Sequence, residues 1–308
     1  MLRIKELQLE NFRGYRNANL KLGDFNYLIG PNGVGKSSML ESVALLCMSL
    51  QFDDGAFTTG QQRLDKYLEK NIRNIGEKDA AKGFRVAGLF EYDGEEFEVV
   101  LNQNGFEKNP MLDKPWWWMG ICYFARFDQD MAKFTLPLEL WDRFAKYWQE
   151  ITGIEIEPET YDVYFDPRYE KEMKESLSGE EGKSYIVGFW MKKYGSRVHS
   201  SKCSAGERKI VRSLSEILLL PDERQPHIVL IDNLEMHVYF KRHLKMVETI
   251  KDIFAGKQLI TTTHSTVIMD HYDKSQMIDV EEILNAASQE DAGVGSGEGA
   301  KVVPQAAC

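Results

Sequence analysis

The chain has 308 residues, 43% hydrophobic and 28% charged, which is ordinary globular composition with length enough for a sizeable core. Its net charge of −10, from 38 Lys and Arg against 48 Asp and Glu, gives no sign of a general electrostatic grip on nucleic acid, although a local basic face would survive it. The four cysteines (Cys47, Cys122, Cys203, Cys308) lack metal or disulfide spacing, no apolar run approaches the roughly 20 residues of a membrane span, and the charged N-terminus is no signal peptide, so a soluble, cytoplasmic protein without a membrane partner is expected.

Residues 2–9 (LRIKELQL) alternate apolar and polar and predict a strand, as do residues 17–22 (NANLKL). Between them NFRGYR carries the turn-permitting Gly14. DFNYLIG runs into PNGVGKSS, and Met39, Val43, Leu46 and Leu50 then recur at helical spacing, so this stretch reads as strand, glycine-rich loop and helix. A polar segment follows, with a helix expected near 61–75. FRVAGLFEY and EEFEVVLNQ are strand-like and joined by Asp93-Gly94, a strong hairpin signal. WWWMGICYFARF reads as a strand with an aromatic entry, LELWDRFAKYWQEITG as an amphipathic helix and SYIVGFWMKK as a strand. Beyond these, SAGERKIVRSLSEILLL predicts a helix, HIVLID a strand, MHVYFKRHLKMVETIKDIF a helix and KQLITTTH a strand. The last residues, small and glycine-rich, predict a disordered tail over 285–308.

Four segments carry chemistry. Gly30 to Ser37 fits G-x-x-x-x-G-K-[ST] between a predicted strand and helix. Its glycines let backbone N–H groups turn around phosphate oxygens, Lys36 would reach the β- and γ-phosphates, and the Ser37 hydroxyl would ligate Mg²⁺. HIVLID supplies Asp232 at a strand end, a second candidate metal carboxylate. SAGER opens a helix with Ser204 as a candidate N-cap and Gly206 in the first turn; alone it is only a capped helix. TTTH ends a strand at His264, where a lone histidine is more often a packing or capping residue than a catalytic one.

Taken in this order, the four segments resemble the ABC-type ATPase head of the SMC, RecF and OLD-like group. The opening LRIKELQLENFRGYRNANLKL is similar to the N-terminal strand pair of that group. The likeness is close over about residues 1–45 and 200–280 and holds only in outline over 50–195. It implies an α/β fold: a P-loop NTPase of ABC-ATPase type, with a mainly parallel core sheet, an antiparallel β flank and a helical insertion. One head would span 1–284, with 1–50 and 200–284 forming the nucleotide core and 51–199 the flank and insertion. No sustained heptads follow the P-loop, so the long coiled-coil arm of SMC proteins is not expected, and the chain after His264 is too short for the nuclease domain of full OLD proteins.

The resemblance also implies residue roles. Gly30, Asn32, Gly33, Gly35, Lys36, Ser37 and Ser38 fall on the phosphate loop, Asp232 on the metal-holding aspartate, and Arg13 where such proteins contact the nucleotide from the side. Ser204, Ala205, Gly206 and Glu207 fall on the signature that caps the γ-phosphate of the opposite subunit's ATP, with Ala205 for the usual glycine. His264 falls on the switch histidine, and Gln129 is assigned to the glutamine that joins the metal shell. ATP and Mg²⁺ are thus expected, with a homodimer forming on ATP and a separate effector protein or DNA as partner, in repair, recombination or anti-phage defence.

Asn233 departs from the pattern, because the group carries a water-activating glutamate there. An amide can position water but cannot take its proton, and losing a general base costs about 10²–10⁴-fold. Slow hydrolysis is therefore expected. Glu235, two residues on, is a candidate replacement, followed by His237. A nucleotide-locked scaffold with negligible turnover is the alternative. Trp116, Trp117 and Trp118 read as core or interface anchors more readily than as base-stacking groups, KKYGSRVHSSKC as the most basic stretch, and residues 166–182 as a solvated charged segment.

Overall fold

The computed structural model describes residues 1–50, 83–103, 105–108, 122–126, 134–161, 184–219, 226–235 and 238–286. The expected helix near 61–75, the three tryptophans, Gln129, the 166–182 segment, His237 and the chain beyond residue 286 lie outside them.

Fourteen strands arrange in three sheets among the described residues. The first is antiparallel, in order β2 (Tyr15–Lys21), β1 (Leu2–Phe12), β4 (Arg85–Tyr92), β5 (Glu95–Asn102) and β6 (Gly105–Lys108). Asp93 and Gly94, both at positive φ, make the hairpin between β4 and β5. The second sheet is smaller: β11 (Ser196–His199), β10 (Tyr185–Lys193) and β8 (Leu136–Pro137), with β9 (Ile156–Tyr161) also paired to β10. The third holds β14 (Met277–Asp279), β3 (Phe25–Ile29), β13 (Gln258–Thr262), β12 (Ile228–Asp232) and β7 (Cys122–Arg126), every pair parallel.

The central strands β3, β12 and β13 are buried on both faces, as their near-continuous apolar runs require. Successive residues face opposite ways. Ile228, Leu230, Leu28 and Ile260 join one core with α1 (Lys36–Leu50), β1, β2, β4 and β5. Val229, Ile231, Tyr27 and Leu259 join the other with α2 (Trp141–Thr152), β10, α3 (Ala205–Leu218) and α4 (His243–Ile253). Helix α1 is wedged between the parallel sheet and the antiparallel one, which explains why Met39, Leu40, Val43, Leu45, Leu46 and Cys47 are all buried. Helix α2 instead shows a single buried stripe, Trp141, Phe144, Tyr147, Trp148 and Ile151.

Two details depart from the sequence expectation. Cys122–Arg126, inside the stretch expected to be flank and insertion, pairs with β12 in the core sheet, while β1 and β2 belong to the flank. The helix expected from residue 236 begins only at His243, after a 3₁₀ turn at Phe240–Arg242. The chain ahead of it is used for turns: Val238 N–H donates to Glu235 C=O at 3.0 Å, and the His243 Nε2 lies 2.9 Å from Val238 O. The chain continues through α5 (Thr266–His271) and a last helix over 280–286.

Two side chains staple the flank to the core. Buried Gln258 accepts from Ile4 N–H at 2.9 Å and donates to Ile4 O and Gly23 O, both at 2.8 Å. His227 Nδ1 accepts from Leu2 N–H at 2.8 Å, so the ring must be unprotonated there. Burial, with Lys257 and the terminal amine adding to it, lowers the His227 pKa. Above about pH 6.5, the ordinary histidine value, the ring is neutral in folded and unfolded chains and the bond contributes fully. Below that pH the unfolded chain takes up a proton that the folded one resists, so stability falls with falling pH. Wild type should accordingly lose melting temperature between pH 7.5 and 5.5, and His227→Asn, whose oxygen can accept from Leu2 without titrating, should lose less. His227→Ala should cost about 1–3 kcal/mol in denaturant titration, the range for a buried donor left unpaired.

Candidate nucleotide site

All five core strands run the same way, so their C-terminal ends share one edge, where open parallel sheets bind ligands. The loop after β3 leads into α1, whose first residue is Lys36. Gly30, Gly33 and Gly35 have φ of 132°, 81° and 104°, a region that side chains rarely enter. At Gly35 there is also no space, because an added Cβ would lie 2.9 Å from the Tyr15 hydroxyl. That hydroxyl donates to Gly35 C=O at 2.8 Å from a fully buried ring on β2. The antiparallel flank thus holds the loop from outside. Asn32 and Gly33 are exposed at its tip.

Lys36 Nζ donates to Gly30 O and Pro31 O, each at 2.8 Å, and closes the loop around itself. Burial lowers its pKa, opposed by the charges of Asp232 and Glu235. The Ser37 hydroxyl donates to Asp232 Oδ2 at 2.8 Å, and the Thr262 hydroxyl to Asp232 Oδ1 at 2.7 Å. Thr262 Oγ1 in turn accepts from Asn233 N–H at 2.7 Å. A hydroxyl and a carboxylate oxygen in contact fit a hard cation such as Mg²⁺, which keeps waters and shares phosphate oxygens rather than needing a full protein cage.

Asn233 sits at φ 54°, in the left-handed region that asparagine tolerates better than most residues. Glu235 folds back to the end of β13, where its Oε1 accepts from His264 N–H at 2.6 Å. His264 is exposed, yet partial desolvation of its ring together with the charge of Lys36 lowers its pKa against the opposing charges of Glu235 and Asp232. Arg13, also at positive φ, donates to Ser38 Oγ at 3.2 Å and pairs with Glu41 on α1, so its guanidinium is tied to the helix behind the loop.

Ser204 to Glu207 stand apart from this cluster. Ser204 caps α3 and Glu207 completes a reciprocal capping box, with Glu207 N–H donating to Ser204 Oγ at 3.3 Å and Ser204 N–H to Glu207 Oε2 at 2.8 Å. Burial raises the Glu207 pKa, but its ion pair with Lys193 and its Ser204 donor outweigh that and lower it overall. Among the described residues, the hydrogen bonds and ion pairs of Ser204 and Glu207 stay within this cap and its Lys193 neighbour and do not reach Gly30–Ser37. Ser204 and Ala205 are exposed and Gly206 half-buried, so the helix start faces outward. Sequence reasoning missed Thr262, Tyr15 and Lys193. Only Thr262 had a local signal, a polar residue at a strand terminus.

A family model of the AAA ATPase domain matches residues 2–186, more than half of the chain. The chain belongs to this AAA ATPase family. Among relatives, the Septu protein PtuA of Bacillus thuringiensis is 23% identical over 333 aligned positions, covering 96% of this chain and 78% of PtuA. The DNA replication and repair protein RecF of Moorella thermoacetica is 30% identical over 109 residues, covering 35% of this chain and only 25% of RecF. Among solved structures, an Smc head with an extended coiled coil from Pyrococcus furiosus, bound to the C-terminal domain of ScpA, superposes with a TM-score of 0.52 at 12% identity, covering 94% of this chain and all of that one. A second Smc head, bound to the winged-helix domain of ScpA, gives 0.52 at 14% identity, covering 88% of this chain and 92% of that one. The fold of this AAA ATPase is therefore that of the Smc heads.

Lys36→Ala should abolish ATP binding in a fluorescence titration, and unchanged affinity would count against the phosphate-loop assignment. Tyr15→Phe removes one hydrogen bond, worth about 1 kcal/mol, and should weaken ATP binding by about fivefold without unfolding the head.

Proposed function

We propose that this ATPase is a Mg²⁺-dependent, cytoplasmic switch that dimerises head to tail around ATP, hydrolyses it, and passes closure to a separate effector or to DNA. The contact that carries this reading is the Ser37 hydroxyl on the Asp232 carboxylate at 2.8 Å, with Lys36 at the mouth of the same loop. Lys36 would bind the β- and γ-phosphates and Ser37 and Asp232 would hold the metal, which would supply charge stabilisation to the phosphoryl group. Gly30, Gly33 and Gly35 would bring backbone N–H groups to the phosphates.

The outward-facing start of α3 supports the dimer. Ser204 and its helix N-terminus could meet the γ-phosphate of a partner copy, and a contact made only in the closed pair gives ATP the differential affinity that a switch needs. No described helix is long and apolar enough to cross a membrane. Relatives named for DNA replication and repair support a setting in repair, and Smc heads bound to ScpA support an effector protein as partner. Asn233 favours a second reading, a nucleotide-locked scaffold with negligible turnover, because its amide cannot take a proton.

ATP turnover of wild type above a Lys36→Ala blank would support the hydrolase, and turnover at the blank would select the scaffold. Ser204→Arg should bind ATP normally as a monomer yet fail to dimerise with ATP and Mg²⁺ in analytical ultracentrifugation; a normal dimer would overturn the role given to the signature.

A further inference from the structure

Resting on the hydrolase reading above, we infer that Glu235, rather than Asn233, supplies the carboxylate that engages the attacking water. Asn233 follows the metal-site aspartate directly, but its backbone is committed to Thr262 and its side chain has no group that accepts a proton at neutral pH. Glu235 is brought to the same place by the turn that follows. Leu234 is buried, and its N–H donates to Thr262 C=O at 3.1 Å. That anchor reverses the chain and returns the Glu235 side chain to the end of β13, beside His264. The carboxylate lies within electrostatic reach of both Lys36 and His264, and its charge opposes the lowering of both pKa values.

The two oxygens of this carboxylate are treated differently. Oε1 accepts from His264 N–H, which alone would account for a structural strut. Oε2 is buried and accepts no hydrogen bond from any described group. Leaving a buried acceptor without a donor is unfavourable, and such orphans in native proteins call for a strained, catalytic or water-binding explanation. Here the orphan belongs to a carboxylate at the C-terminal edge of the sheet, fixed by one oxygen and left without a donor at the other.

In the proposed step, Lys36 leaves the Gly30 and Pro31 carbonyls for the phosphates, and the rearranged loop admits one water to Oε2. The water oxygen forms a bond to the γ-phosphorus while the bond from that phosphorus to the β–γ bridging oxygen breaks, its electron pair leaving with ADP. One water proton passes to Glu235 and is returned to the phosphate product or to solvent. The transition state of such transfers is loose, so orientation of the water contributes as much as base strength.

Glu235→Gln is the test, because glutamine keeps a carbonyl oxygen for His264 N–H and nearly the same volume while losing the proton acceptor. With ATP and Mg²⁺, its kcat should fall by about 10²–10⁴-fold. Its melting temperature and its affinity for a fluorescent ATP analogue should match wild type. Turnover within about threefold of wild type would overturn the inference while leaving the hydrolase reading in place. Loss of ATP binding together with turnover would also overturn it, since the residue would then serve the structure of the site. Wild-type turnover no higher than Lys36→Ala would remove the hydrolase reading and, with it, any role for Glu235 in the reaction.

Discussion

The Asp232 carboxylate accepts a hydroxyl at each oxygen, Ser37 from the phosphate loop and Thr262 from the neighbouring strand, and the candidate site is organised around those two bonds. Each partner comes from a different element, so one carboxylate registers the start of α1 against the ends of β12 and β13. A charged acceptor makes such bonds stronger than neutral pairs. Thr262 extends the chain to Asn233 N–H, so the turn after Asp232 is set by the same network. The positive φ of Asn233 is the backbone's accommodation to that turn.

This edge can be so closely defined because the sheet beneath it is clamped on both faces. Side chains of β12 alternate between two cores, and neither core can shift without unpacking the other. The antiparallel flank is more than a cover. Gln258 and His227 bind its first strand to the core through buried polar contacts, and Tyr15 and Arg13 carry that rigidity to the phosphate loop and α1. Each buried donor or acceptor is costly to leave unmade, so these bonds specify the docking as well as stabilise it.

The signature segment follows a different logic. Its cap is complete within its own helix start, with Ser204, Glu207 and Lys193 satisfying one another at the surface. In the proposed dimer, this outward-facing helix start would serve the partner copy rather than its own head. Catalytic geometry in such an arrangement would be divided, with metal and phosphate loop on one surface and the cap on another.

Much of this was legible in the chain. Gly30 to Ser37 encodes its loop because phosphate binding needs contiguous glycines, a lysine and a hydroxyl at set positions. The strands, the Asp93-Gly94 hairpin and the α2 stripe follow from local periodicity and turn chemistry. The sequence likewise marked Asn233 as a departure and Glu235 as a candidate. It could not show that Glu235 returns to His264 with one oxygen bonded and the other buried without a donor, that Thr262 bridges Asp232 and Asn233, that β7 enters the core sheet, or that Tyr15 supports Gly35. Those facts depend on contacts between residues 20 to 30 positions apart, or between strands as distant in the chain as β7 and β12, where the chain leaves no local pattern and only packing brings the partners together.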